Sequence, residues 1–453
     1  MGSLGPRVRR RPALALGLTV GVLAGVAAGA ALLAPAASPP HGPSPQILHA
    51  SPAVVAAGED VTLSAATVCR TPGSDSCRVV DSVAHIRSAG AAEWAPVSGQ
   101  AKGGGYRFVV PAALVPEQGF SYWLEFHTRD GASVAYPPAG ERSPIRVITT
   151  AGLVHRALPS FSWDEVHRPD GLAARLPFGD DAGEAGRVAG GLEEISEGPS
   201  SFDVGPDGSI YVVDWLNDRV EVFSPRNTFE RAIPLSGNRP MDLAVSREGR
   251  LYLSTLGLGA TSYEVASTGR VLGRYPVAYG VAARVAATPE GPRVLVGPGQ
   301  WAPVRTATGV PLSGPQQAAM QTESVPLADG SLGVSGEMGE GAFAAAWTRP
   351  DGSRVGAVVR LPEGVRAGTD YFIRPLSDGG AIVARGLWDE SHFAVGVLRF
   401  NASAGIESFI HLSEPSIEQD ARFSTVRFRA PDEVLVAYTT KRAFTIERFE
   451  VPR

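Results

Sequence analysis

Lysine is almost missing from this chain: of 41 basic residues only Lys102 and Lys441 are lysine, and no basic block follows Arg11. With a formal net charge of −5 over 453 residues, no electropositive stripe is available to grip a phosphate backbone, which excludes nucleic-acid binding. Cysteine is as scarce, with Cys69 and Cys77 alone in "CRTPGSDSC". Two cysteines at that spacing exclude a thiolate zinc cluster and are not the Cys-x-x-Cys of a redox pair. No GxSxG, HExxH, phosphate-binding loop or strand-linked GxGxxG occurs, so the common nucleophile, metalloprotease and nucleotide signatures are lacking. His155, His167, His392 and His411 are scattered without an i,i+4 pair, which leaves no zinc motif. Beyond residue 150 no helical period of any length appears.

Turn residues are abundant instead. Gly 53 and Pro 37 make up about a fifth of the chain, below the level of a disordered chain and suited to an all-β protein with many turns. At this length two or more domains are expected. The N-terminus, "RVRRR" and then an uncharged run over 13–33 followed by "APAASPP", has the basic, apolar and small-residue regions of a secretory signal. The run also approaches the ~20 residues that span a bilayer. Residues 1–37 are therefore a signal peptide or a membrane anchor, and either way the remainder is exported to the cell envelope or beyond. In an oxidising compartment Cys69 and Cys77, bounding a Pro-Gly loop, are expected to pair as a disulfide.

After a Pro-rich linker over 38–45, residues 46–149 hold short alternating runs such as "EDVTLSA", "SVAHIRS", "YRFVVP", "SYWLEFHTRDG" and "SPIRVIT". About seven strands in about a hundred residues, each with one buried face, predict a β-sandwich. The stretch ending "YWLEFHTRDGASVAYPPAGERSPIRVIT" resembles the closing strands of bacterial immunoglobulin-like modules, although the Cys…Trp…Cys spacing of antibody domains is absent.

Residues 150–453 repeat. A turn followed by a β-rich run recurs as "GPDGSIYVVD", "SREGRLYLST", "TPEGPRVLVG", "LADGSLGVSG", "LSDGGAIVAR" and "RAPDEVLVAY", at the ~40–50-residue period of propeller blades. An apolar strand enters each turn and a second leaves it. A third follows a polar bend, read as "RVEVF", "SYEVA", "GAVVRL", "FAVGVLRF" and "AFTIERFEV". Six units predict six blades of about four antiparallel strands, stacked because no blade buries both faces alone. The segment over 172–191 is expected to add an outer strand to the last blade and close the ring. The fold class expected is thus all-β: signal or anchor helix, Ig-like sandwich, then a six-bladed propeller. "GPSSFDVGPDGSIYVVDWLNDRVEVFSP", with its lead-in "RLPFGDDAGEAGR", resembles an NHL-type repeat. That resemblance implies a six-bladed propeller in a family of mostly binding scaffolds.

Asp214 and Asn217 sit in the first blade's bend, where a ligand role competes with simple capping of backbone groups. "GDDAGE" misses the calcium-loop spacing and reads as a solvated acidic loop. Counting from each turn puts Trp215, Trp301 and Trp388 in the bends of blades one, three and five, with Asp389 and His392 beside the last. Aromatics and carboxylates on one rim suit a carbohydrate, peptide or protein contact; the alternative is that each Trp packs between its own neighbouring blades. An exported, non-enzymatic binding protein using the propeller as ligand platform is the function expected. It requires no cofactor, and it touches a membrane only through an uncleaved N-terminal helix. The alternative is a metal-dependent propeller hydrolase or lyase, in which calcium would have a place.

Overall fold

The structure, a computed structural model, describes residues 45–453 apart from 50, 53, 70–74, 139, 143, 160, 189–196, 236–238, 258, 278–283, 298–299, 320–324, 327–331, 338–340 and 414–424. The expected signal or anchor segment, 1–37, and nearly all of the linker, 38–45, lie outside the described residues. Among those described, no helix is long and apolar enough to cross a membrane, and nearly all regular secondary structure is β-strand.

The first hundred residues form two facing sheets. One has the order Gln46–His49, Val61–Val68, Gly105–Val110, Gln100–Lys102; the other Val54–Ala56, Ile145–Thr150, Phe120–Thr128, Val79–Ser88, Ala95–Ser98, with Ser133–Tyr136 also on Phe120–Thr128. Phe120–Thr128 alternates buried and half-buried side chains along its length, so Tyr122, Leu124 and Phe126 point inward onto Leu63, Ile86 and Phe108. Period-2 patterning therefore sets the register, since a one-residue slip would turn this set outward. Cys69 and Cys77 are bonded, with Cα atoms 5.8 Å apart. Their double replacement by Ser is expected to lower stability by ~2.5 kcal/mol, the chain-entropy value for so short a loop. Denaturant unfolding of both forms, with reductant as a control on the parent, checks it.

Six further sheets follow. Blade one is Ser201–Val204, Ile210–Asp214, Arg219–Phe223, Phe229–Pro234; blade two is Asp242–Val245, Leu251–Ser254, Thr261–Val265, Val271–Pro276. Blade three, among the described residues, has Val285–Thr288, Gly291–Gly297 and Gln300–Pro303. Blade four is Val325–Pro326, Leu332–Glu337, Ala342–Thr348, Arg354–Arg360; blade five is Arg366–Pro375, Ala381–Trp388, Phe393–Phe400, Ile406–Ser413; blade six is Val426–Ala430, Glu433–Thr439, Ala443–Glu450. Each blade's inner strands lie beside the next blade's, and blade six returns to blade one, which makes a β-propeller. Gly171–Pro177 pairs antiparallel with Ala443–Glu450 as the outer strand of blade six, so the chain's early residues close the ring.

Two details depart from expectation. "GAVVRL" is the fourth strand of blade four, not the third; the third is Ala342–Thr348. Among the described residues blade three shows no fourth strand in its sheet: those after Pro303 make a turn with the isolated bridge Arg305–Pro311 and enter the short helix Gly314–Ala319.

The two-sheet unit and the ring share a core. Val54 packs with Ala344, Ala346 and Val358, and Ile148, Leu153 and Ala342 adjoin them. Leu153–Ala157 then runs parallel to Arg354–Arg360 as a fifth strand on blade four. Residues 161–170 next cross blade five as a strap before the closing strand begins.

Candidate functional site

Antiparallel order puts the entrance of every inner strand on the same face as the bend between second and third strands. At those entrances, side chains from five blades meet. Ser201 of blade one donates its hydroxyl to Asp242 of blade two, whose other oxygen accepts the Val285 N–H of blade three at 2.8 Å. Asp203 accepts the Val245 N–H at 2.7 Å and Arg427 Nε of blade six at 2.8 Å. Asp242 is buried at 1% exposure, and that burial raises its pKa against the opposing pull of Arg427, Ser201, Arg284 and the Val285 N–H. Both carboxylates are thereby committed to holding one blade to another.

The cations converge on one ring. The Arg284 guanidinium lies 5.3 Å and that of Arg427 5.2 Å from the centre of Phe372 on blade five. Arg427 also stands 6.0 Å from Phe202, and Arg284 5.9 Å from Trp301. Arg284, Phe372 and Arg427 are half-buried, so the axial mouth offers guanidinium and aromatic surface. Arg427 also donates to Asp203 and to the Val426 carbonyl, and Arg284 acts on Asp242, so stacking adds to what holds both arginines in place.

The predicted rim residues fare differently. Trp215 stands in the bend of blade one, but its ring packs on the core between blades one and two and its Nε1 donates to the Gly198 carbonyl at 2.8 Å. Trp301 lies within the third strand of blade three at 3% exposure. It is a packing residue that backs Arg284, not a rim contact. Trp388 is half-buried at the end of its strand under Arg366, 5.1 Å from the ring. Asp389 accepts the N–H groups of Ser391 and His392, each at 2.7 Å; the Ser391 hydrogen bond leads in pushing its pKa down to about 2. His392 stacks on Trp163 of the strap, with ring centres 5.1 Å apart. The structure thus keeps Trp388, Asp389 and His392 together and separates them from Trp301. Asp214 and Asn217 belong to a clasp on the loop after the closing strand.

Sequence reasoning missed Arg284, Phe372, Arg427, Asp203 and Asp242. One signal was available: each belongs to, or directly precedes, an inner strand. Among the described residues no three or more His, Cys, Asp or Glu side chains gather as a metal-ligand set.

No family model matches the chain, and no curated protein matches it by sequence. Solved structures resemble it weakly. Virginiamycin B lyase of Staphylococcus aureus has TM-score 0.31 at 11% identity, covering 55% of this chain and 94% of that one. The WD40 repeats of RRP9 give 0.33 at 11%, covering 60% and 99%. The PQQ domain of pyranose dehydrogenase from Coprinopsis cinerea gives 0.34 at 11%, covering 65% and 100%. The propeller assignment rests on sheet order and ring closure, not on these likenesses.

Proposed function

We propose that this is an exported binding protein in which an NHL-type six-bladed propeller over 150–453 presents a ligand platform and an Ig-like module over 46–149 acts as a fixed spacer. The ligand is an acidic peptide or protein segment laid across the axial mouth. One observation carries this: two guanidiniums from blades three and six converge on Phe372, while the carboxylate oxygens beside them are engaged in blade-to-blade hydrogen bonds. A metal-dependent hydrolase would need those oxygens for its cation. The shared core around Val54 supports a spacer fixed to blade four.

Calorimetric titration with a hexaglutamate peptide, and with maltohexaose as a neutral comparison, tests the proposal at low ionic strength. Hexaglutamate binding is expected, and Arg284→Gln should weaken it about tenfold, since one charge contact from a half-buried arginine is lost. Arg427 is the poorer probe because it ion-pairs Asp203; Arg284 acts on Asp242, so a thermal melt of Arg284→Gln is read beside the titration. Preference for maltohexaose, or an affinity that Arg284→Gln leaves untouched, overturns it.

A further inference from the structure

The closing strand, Gly171–Pro177, is clasped on both sides. Upstream, the strap lies over His411 on the outer strand of blade five. His411 is buried at 4% exposure, with its ring 4.9 Å from Phe161 and 5.6 Å from Trp163, and its carbonyl accepts the His167 N–H at 2.8 Å. Phe161, Glu165, His167, Phe409 and His411 line a cavity of about 290 Å³. The Ser162 and Glu165 backbone lies close enough to favour a protonated His411 ring, yet no hydrogen bond of regular geometry reaches either nitrogen among the described residues.

Downstream, residues 179–186 wrap Arg219. Its Nη1 donates to the Asp180 carbonyl at 2.7 Å, and Nη2 to those of Asp181 at 2.7 Å and Glu184 at 2.9 Å. Asn217 donates to the Gly179 carbonyl and Gly186 N–H to Asp214. Under the guanidinium sit Asp214 and Glu221, both fully buried, 3.1 and 2.6 Å from Nε. Gly183 N–H reaches Glu221 Oε1 at 3.3 Å, and Oε2 has no hydrogen-bond partner among the described residues.

We propose that these are two pH-dependent clasps of opposite sign on one strand: acid loosens the strap through His411, and alkali loosens the 179–186 loop through Glu221. Burial lowers the pKa of His411, so its share of stability is complete above the ordinary histidine range near 6.5 and is lost as pH falls below it. Burial lifts Glu221 from 4.5 to about 7, so its share is complete below 4.5 and is lost as pH rises through 7. Full release of the two sides therefore falls at opposite ends of the pH range, with both shares partly lost between 4.5 and 6.5.

Other ionisable groups surround each clasp. Facing the strap clasp are Glu165 and His167, the latter 3.7 Å from Asp170, which blade six holds through Glu450 N–H and Arg448. Through Trp163 comes His392 with Asp389. Around Glu221 stand Asp214, Arg219 and the loop's Asp180, Asp181 and Glu184, while the outer strand brings Glu230 and Arg231, paired with each other at 3.7 Å.

Hydrogen exchange of the full chain at pH 5.5 and 8.0, corrected for the intrinsic pH dependence of exchange, reads each clasp separately. Amides of 161–170 should lose protection at pH 5.5, and those of 179–186 should lose roughly tenfold or more at pH 8.0. His411→Phe should flatten the first response and Glu221→Gln the second, each leaving the other intact; His411→Asn serves if the Phe variant does not fold. Flanks that respond in the same direction, or responses that survive these substitutions, overturn the proposal.

Discussion

Arg219→Met is expected to destabilise the protein by ~3–5 kcal/mol, because it leaves two buried carboxylates without their cation. Asp214 and Glu221 are both inaccessible to solvent, and burial already raises both pKa values with Arg219 opposing the rise. Without the guanidinium their folded-state pKa values climb further while the unfolded values stay put. The penalty should therefore grow as pH rises above the ordinary carboxylate range. Three loop carbonyls also lose their donor, which frees the segment that follows the closing strand. Guanidinium chloride unfolding at pH 5 and pH 8 measures both the size and the slope. Arg219→Met with Glu221→Gln should recover part of the loss at pH 8, since one of the two uncompensated charges is gone. An exposed-pair value below ~1 kcal/mol, flat with pH, would show that the clasp is solvated.

That clasp also marks how far the sequence could be read. Asp214 and Asn217 were legible as groups that bond backbone, but within their own bend; both reach the 179–186 loop instead, and Asp214 also pairs with Arg219. "GDDAGE" was not legible: four of its six residues are glycine or aspartate, as in any solvated loop, and its true partner is an arginine more than thirty residues onward. Side-chain patterning reports exposure within a strand, whereas here the loop's backbone carbonyls do the binding, and carbonyls carry no sequence signature.

Turn spacing exposed the repeat because Gly and Asp at tight turns are fixed by backbone geometry. The misread strand of blade four, "AFAAAWT", is four-sevenths alanine, a residue depleted in strands, with no β-branched residue before its last position. Its alanines are small for a reason visible only in three dimensions: Ala344 and Ala346 let Val54 of the two-sheet unit pack directly on the blade. Blade three loses its fourth strand where Pro303 and Pro311 cannot donate to a ladder and "SGPQQAA" turns helical. The axial mouth was illegible for a different reason. Arg284, Phe372 and Arg427 are far apart in the chain and meet only once the ring has closed.

Trp301→Ala should cost ~3–5 kcal/mol, the range for truncating a large buried aromatic. The side chain is 3% exposed, opposite Leu295 on the neighbouring strand, in a blade with three strands among the described residues. Local collapse into the gap is limited there, because Ala302 and Val304 beside it are already fully buried. The loss should also reach the mouth. Arg284 rests on Trp301 as well as on Phe372, so the truncated protein should bind hexaglutamate more weakly even at temperatures where it remains folded. Trp388→Ala is the matched comparison: a half-buried ring at a strand end under Arg366 should cost ~1 kcal/mol or less. Removing all three tryptophans together would hide this difference, since one buried ring would dominate the result. Thermal melts of the two single variants separate packing from contact. A Trp301→Ala protein that melts like the parent yet no longer binds would return Trp301 to the rim.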